Sequence, residues 1–78
     1  MTIIEQVYSV SELDAQFDDY RRDTLTLGWE ERRQGHGRRR SDGGLDFAIS
    51  LPSGTVLKGG DCLILGPERA IVRIQEAS

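Results

Sequence analysis

Apolar and polar residues alternate with a period of two in two segments of the chain, residues 25–29 and 45–51. This alternation is typical of strands that bury one face. A continuous apolar run at 62–65 and an apolar segment at 70–74 predict two further strands. The opening segment, residues 3–8, and the short pair Val56 and Leu57 are weaker strand candidates.

Turn-forming residues separate these segments. Pro52-Ser53-Gly54, Gly59-Gly60-Asp61 and Gly66-Pro67 interrupt the apolar pattern at short intervals, as expected between antiparallel strands. We therefore predict an all-β fold of about six strands, as a small antiparallel barrel or as two packed short sheets. The predicted core consists of the inward positions of these strands: Leu25, Leu27, Phe47, Ile49, Leu51, Leu63, Leu65, Val72 and Ile74.

Residues 11–20 carry the only helix-like spacing. Leu13, Phe17 and Tyr20 recur at intervals of four and three, which suits one face of a short helix. A packed loop would bury the same three side chains, so both alternatives remain open. By contrast, residues 30–44 contain no aliphatic side chain, and we expect a solvated turn, a loop or a polar helical turn there.

Charge is distributed unevenly along the chain, whose net charge is −3. Residues 1–20 carry five acids and no Lys or Arg, whereas residues 21–40 carry seven Arg against three acids. This basic stretch is either a solvated loop or a binding surface. The candidate partner-binding residues are its one tryptophan and the nearest arginines: Trp29, Arg32, Arg33, Arg38, Arg39 and Arg40.

Two interpretations of Trp29 are open, an anchor in the core or at its edge, and a partly exposed aromatic ring beside Arg32 and Arg33 at an interface. The arginines from 32 to 40 lie among polar residues. We therefore expect them on the surface, where substitution leaves folding nearly intact.

Metal-binding and catalytic chemistry find little support in the sequence. His36 and Cys62 are the only His and Cys, whereas a nickel site needs several converging ligands. We expect His36 to be a solvated residue and Cys62 a buried, unreactive thiol. No catalytic residues, metal ligands or cofactor are predicted, and an enzyme is not expected.

The composition fits one small globular domain, with 37% hydrophobic and 29% charged residues. We see no signal peptide and no run of apolar residues long enough to span a membrane. The expected location is therefore the cytoplasm, and no membrane partner is predicted.

Several motifs, taken in order, resemble one protein family. Asp-Thr-Leu-Thr-Leu-Gly-Trp-Glu-Glu-Arg at 23–32 precedes an Arg-rich segment at 37–43. Leu-Pro-Ser-Gly-Thr-Val-Leu-Lys-Gly-Gly-Asp follows at 51–61. With Cys-Leu-Ile-Leu at 62–65 and the final segment at 70–76, this order is similar to the first domain of the urease accessory nickel metallochaperones (UreE).

The resemblance implies a function in urease maturation. It predicts that residues 1–78 are a single UreE-like amino-terminal domain that contacts the urease apoprotein and other accessory proteins. It also implies that the second domain, which binds nickel in that family, is absent here, so nickel is expected only in that missing domain. Two explanations fit the missing second domain: the chain is a shortened form of such a protein, or it is a natural relative that stands alone.

The alternative function belongs to a different class. A small β-barrel with an Arg-rich loop could bind RNA or single-stranded nucleic acid, since such modules combine a basic groove with aromatic platforms. The acidic net charge and the aromatic content of 6% argue against it. A nucleic-acid partner is therefore not our preferred interpretation.

Overall fold

Six strands form two three-stranded sheets in the computed structural model, which describes residues 1–78. The first sheet has the order β1-β4-β3 and the second β2-β6-β5. One helical turn, α1, follows β2. The elements are β1 (Ile3–Ile4), β2 (Arg21–Leu27), α1 (Trp29–Arg32), β3 (His36–Arg40), β4 (Asp46–Ser50), β5 (Cys62–Leu65) and β6 (Ala70–Glu76).

The two-sheet alternative is confirmed, and no closed barrel forms. The pairing is mixed, however, so the expectation of wholly antiparallel strands is wrong. β3 pairs with β4 and β5 with β6 in antiparallel fashion, whereas β1–β4 and β2–β6 are parallel. The parallel pairs join strands far apart in sequence, which turn signals between neighbouring strands cannot reveal.

The core lies between the two sheets. All nine predicted core positions are buried, and Phe47, Leu63, Leu65 and Val72 are fully enclosed. Side chains from both sheets form one cluster, which also contains Ile4, Leu57 and Ala70. The alternating pattern therefore identified the inward faces correctly.

The segment near residues 11–20, for which a short helix and a packed loop were both open, forms two separate 3₁₀ turns, Val10–Glu12 and Ala15–Phe17. Leu13 lies between them in an extended conformation, which breaks the helical path. Phe17 and Tyr20 contact each other edge-on, with 5.1 Å between ring centroids. The three apolar side chains are partly buried, as the packed-loop alternative required.

Two other segments differ from expectation. Val56 and Leu57 form no strand, although Leu57 is buried through its side chain. The opening strand is shorter than the expected residues 3–8, because β1 ends at Ile4. Further along, Tyr8 pairs with Cys62 through two backbone hydrogen bonds of 2.9 and 2.7 Å. The segment before β2 thereby covers part of the free edge of β5.

A carboxylate joins the two sheets. Asp23 on β2 accepts hydrogen bonds from the Ser41 hydroxyl (2.6 Å), the Gly43 N–H (3.0 Å) and the Thr24 N–H (2.7 Å). A Cβ at Gly43 would lie 2.6 Å from an oxygen of Asp23, so a larger residue there would displace this carboxylate and disturb its hydrogen bonds. The turn between β3 and β4 is thus held against the outer edge of β2.

Candidate functional site

The Arg-rich segment contains a strand, β3, which the absence of aliphatic residues concealed. Arg38 lies opposite Ala48, and Arg39 lies opposite the fully buried Phe47. Paired residues in a sheet point to the same side. His36, Arg38 and Arg40 therefore belong to the outer face of this sheet, and Arg39 to the inner face.

Two arginines on this outer face form no ion pair, although Asp46 lies opposite Arg40 in the strand register. The ion pairs of the structure involve Arg21, Arg32 and Arg69, so neither Arg38 nor Arg40 is neutralised by a neighbour within 4.0 Å. Both are exposed. Ile3, which is 61% exposed, lies in the same row of the sheet as Ala48 and Arg38. The outer face thus combines unpaired positive charge with an exposed aliphatic side chain.

β3 is also an edge strand with an open side. Backbone bonds from Leu51 to Gly35 (2.8 Å) and from Ser41 to Leu45 (2.8 Å) show that odd-numbered positions pair with β4. In an antiparallel ladder the intervening residues direct their N–H and C=O groups away from the partner. The backbone groups of His36, Arg38 and Arg40 therefore face the open edge, where an extended segment could add.

Arg39 partly closes this edge. Its guanidinium donates to the carbonyl oxygens of Arg38 (2.7 Å) and Gln34 (3.0 Å). It also passes over Gly37, which has a φ of 122° and whose Cβ, if added, would lie 3.2 Å from the guanidinium. Covering an edge with a charged side chain is a common protection against unwanted strand pairing. An added strand would therefore have to displace Arg39.

A second cluster forms at α1. The turn begins after Gly28, whose N–H donates to the Glu31 carboxylate over 3.1 Å. Trp29 is 57% exposed, so the interpretation as a core anchor is wrong. The guanidinium carbons of Arg32 and Arg33 lie 5.2 and 5.7 Å from the centre of its ring, within the range of cation–π contacts.

Arg32 is not a surface residue, and the expectation that all these arginines are solvated is wrong for it. Its side chain is buried, donates to the Leu57 carbonyl oxygen over 3.1 Å and lies 3.5 Å from the Glu76 carboxylate. The reason is the helical turn, which directs this position inward. Of the predicted partner-binding residues, Trp29, Arg33, Arg38 and Arg40 are exposed and Arg39 is half-buried.

His36 and Cys62 are not brought together. His36 is exposed on the outer face of the first sheet, and Cys62 belongs to the second. No group of three or more His, Cys, Asp or Glu residues is placed to hold a metal ion. Cys62 is buried, and burial raises the pKa of its thiol, although nearby Arg73 and Arg22 act in the opposite direction. The expectation of a buried thiol is confirmed.

We expect the chain to show no micromolar binding of nickel. One exposed imidazole gains no chelate advantage from other ligands. Isothermal titration with Ni²⁺ checks this, and His36→Ala serves as the control. Micromolar binding that disappears in His36→Ala would contradict the prediction, and binding that persists there would reveal ligands elsewhere in the chain.

Comparison with known families identifies the class of protein. The family described as UreE urease accessory protein, N-terminal domain, matches residues 3–75. The match spans nearly the whole chain, including every strand except the last residue of β6. This protein therefore belongs to the family of UreE amino-terminal domains, which is named for a urease accessory protein.

Two further findings accompany the family match. Among curated proteins, none matches the chain significantly. The helical segments of the structure are single turns, and none could span a lipid bilayer. Sequence reasoning missed the β3 strand because its inward positions, Gly37 and Arg39, give no apolar alternation.

Proposed function

We propose that this chain is a protein-interaction domain of a urease nickel metallochaperone, which assists nickel delivery and urease maturation in the cytoplasm. Its partners are the urease apoprotein and other urease accessory proteins. In this proposal residues 1–78 form the amino-terminal domain, and nickel is bound by a part of the metallochaperone outside these residues. The family match supports the urease context.

The outer face and open edge of β3 are the proposed docking surface. The observation that carries this proposal is the charge of Arg38 and Arg40, which form no ion pair, beside the open edge of β3 that Arg39 covers only in part. Unpaired surface charge attracts an oppositely charged partner and accelerates association, with a marked dependence on salt. An acidic surface or segment of a partner fits this combination.

Neutralising the β3 surface should slow docking without unfolding the domain. We expect Arg38→Gln combined with Arg40→Gln to reduce the rate of association with the urease assembly about fivefold at low salt. The experiment places the variant in a full-length chaperone and measures association by surface plasmon resonance. The melting temperature should stay near that of the wild type, because both side chains are exposed and carry no bonded partner.

Lys58→Glu supplies the matched control. It changes the net charge by the same two units as the double substitution, but at an exposed residue outside both sheets. Equal slowing by the control would show that only overall charge matters. Unchanged rates in both variants would make β3 a solvated connection, and tight salt-sensitive binding of mixed oligonucleotides through Arg38 and Arg40 would favour the nucleic-acid alternative.

A further inference from the structure

A cleft of about 500 Å³ lies on the second sheet, away from β3. Its floor consists of Ile71 on β6 and Cys62 on β5, which are 1% and 2% exposed. Val10 and Leu13, from the segment that contains the 3₁₀ turns, provide an apolar wall. The N-terminal segment therefore covers this face of the sheet only in part and leaves an apolar opening beside it.

Two arginines border the cleft. Arg22 lies beside Ile71 in the strand register, and Arg73 lies between Thr24 and Cys62. Both are exposed, and neither forms an ion pair. Arg73 makes no side-chain hydrogen bond to the protein, and Arg22 makes only a long one of 3.4 Å to the Phe17 carbonyl oxygen.

The one acidic residue in the lining does not neutralise them. Asp23 directs both carboxylate oxygens toward Ser41, Gly43 and the Thr24 N–H, and its nearest cation is Arg21. The cleft thus presents two guanidinium groups without carboxylate partners around an apolar floor. Arginine guanidinium groups bind carboxylates in a defined geometry, often with two parallel hydrogen bonds.

We propose that this cleft docks a protein segment in which an apolar side chain is flanked by a carboxylate. The apolar side chain rests on Ile71 and Cys62, and the carboxylate binds between Arg22 and Arg73. The charge complementarity and the apolar floor together define this occupant. The site is separate from β3, so the domain can engage two partner segments through different sheets, and this proposal stands whether or not β3 is a docking surface.

A short acidic segment fits better than a polyanion. The cleft contains no aromatic side chain on which a base could stack. The wall is part of residues 1–20, which carry five acids and no Lys or Arg. An extended nucleic acid or an anionic membrane would meet these acids, whereas a single carboxylate can be placed between the two arginines.

The test uses the folded chain, labelled with nitrogen-15, and a capped pentapeptide of sequence Ser-Asp-Leu-Asp-Ser. We expect amide shifts centred on Arg22, Cys62 and Arg73. Replacing the Leu of the peptide with Ser, or both acids with Asn, should weaken binding about tenfold. Arg73→Gln should raise the dissociation constant by about the same factor, because a charge-assisted hydrogen bond is lost.

Arg38→Gln is the matched control, since it removes the same charge from the other sheet and should leave the dissociation constant unchanged. Because the Arg73 side chain has no bonded partner, its variant should keep the dispersed spectrum of the folded protein; Arg22→Gln is a second, independent variant. Equal weakening by Arg38→Gln, shifts centred on β3, or equal binding of the peptide that lacks Leu would overturn the proposal. Arg73-dependent binding of a mixed oligonucleotide or of phosphatidylserine vesicles, without peptide binding, would overturn it as well.

Discussion

Asp23→Ala is expected to lower the free energy of unfolding by about 3 kcal/mol, because a buried carboxylate loses three hydrogen bonds at once. The side chain of Asp23 is 8% exposed. Its partners, Ser41 and Gly43, belong to the turn between β3 and β4, whereas Asp23 belongs to β2. The substitution therefore loosens a junction between the two sheets, and urea denaturation followed by circular dichroism measures the loss.

The Asp23 carboxylate should also make the stability of the folded state depend on pH. Burial raises the pKa of Asp23, but hydrogen bonds from Ser41, Thr24 and Gly43, together with the charge of Arg21, outweigh it and hold the pKa below its ordinary value of 3.8. A carboxyl group whose pKa is lowered by folding stabilises the folded state at any pH above its unfolded-state pKa. This stabilisation is lost as the pH falls through the folded-state pKa. The difference in the free energy of unfolding between the wild type and Asp23→Asn should therefore be largest at neutral pH and should decrease below pH 3.8.

Asp42→Ala is the control for this junction. Asp42 also binds β2, through the hydroxyl groups of Thr24 (2.6 Å) and Thr26 (2.9 Å), but it is exposed. Water can replace those bonds, so we expect a smaller loss of stability than in Asp23→Ala. Equal losses in the two variants would show that burial of the Asp23 carboxylate does not contribute as argued.

The sequence predicted the core well because burial in a sheet repeats every second residue. Phe47 and Ile49 lie on one face of β4 for that reason. β3 has no such pattern: its inward positions are Gly37 and Arg39, and Arg39 leans toward the open edge to reach Gln34. This strand is stabilised by its pairing with the neighbouring strand β4 rather than by its own apolar residues, and such pairing leaves no mark in the pattern of apolar positions.

The candidate surface was predicted only in part for a similar reason. An arginine among polar residues gives no sign of burial, yet the helical turn at α1 places Arg32 inside and leaves Trp29 outside. The direction of each side chain depends on where the turn begins, at Gly28, and on what packs beneath it. The parallel pairing of β2 with β6 likewise depends on the complete fold.

Arg32→Met is expected to lower the free energy of unfolding by about 2 kcal/mol, mainly because the Leu57 carbonyl oxygen loses its buried donor. Arg32 holds this segment twice: its side chain donates to the Leu57 carbonyl, and its own carbonyl accepts from the Leu57 N–H over 2.9 Å. The ion pair with Glu76 adds less, since that carboxylate is 50% exposed and screened by water. Methionine keeps most of the apolar volume, so the loss isolates the polar contacts.

Arg33→Met is the matched control, because Arg33 is exposed and shares the contact with Trp29 but has no buried bond. Its effect on the free energy of unfolding should stay within about 0.5 kcal/mol. The Nε atom of Arg32 opposes this stabilisation. It is buried without a hydrogen-bond partner, which carries a desolvation cost of about 1–3 kcal/mol. Equal stability of Arg32→Met and Arg33→Met in thermal and urea denaturation would contradict this prediction. It would mean that the desolvation cost of Nε cancels the hydrogen bond to Leu57, so that Arg32 does not stabilise the contact between α1 and the segment that contains Leu57.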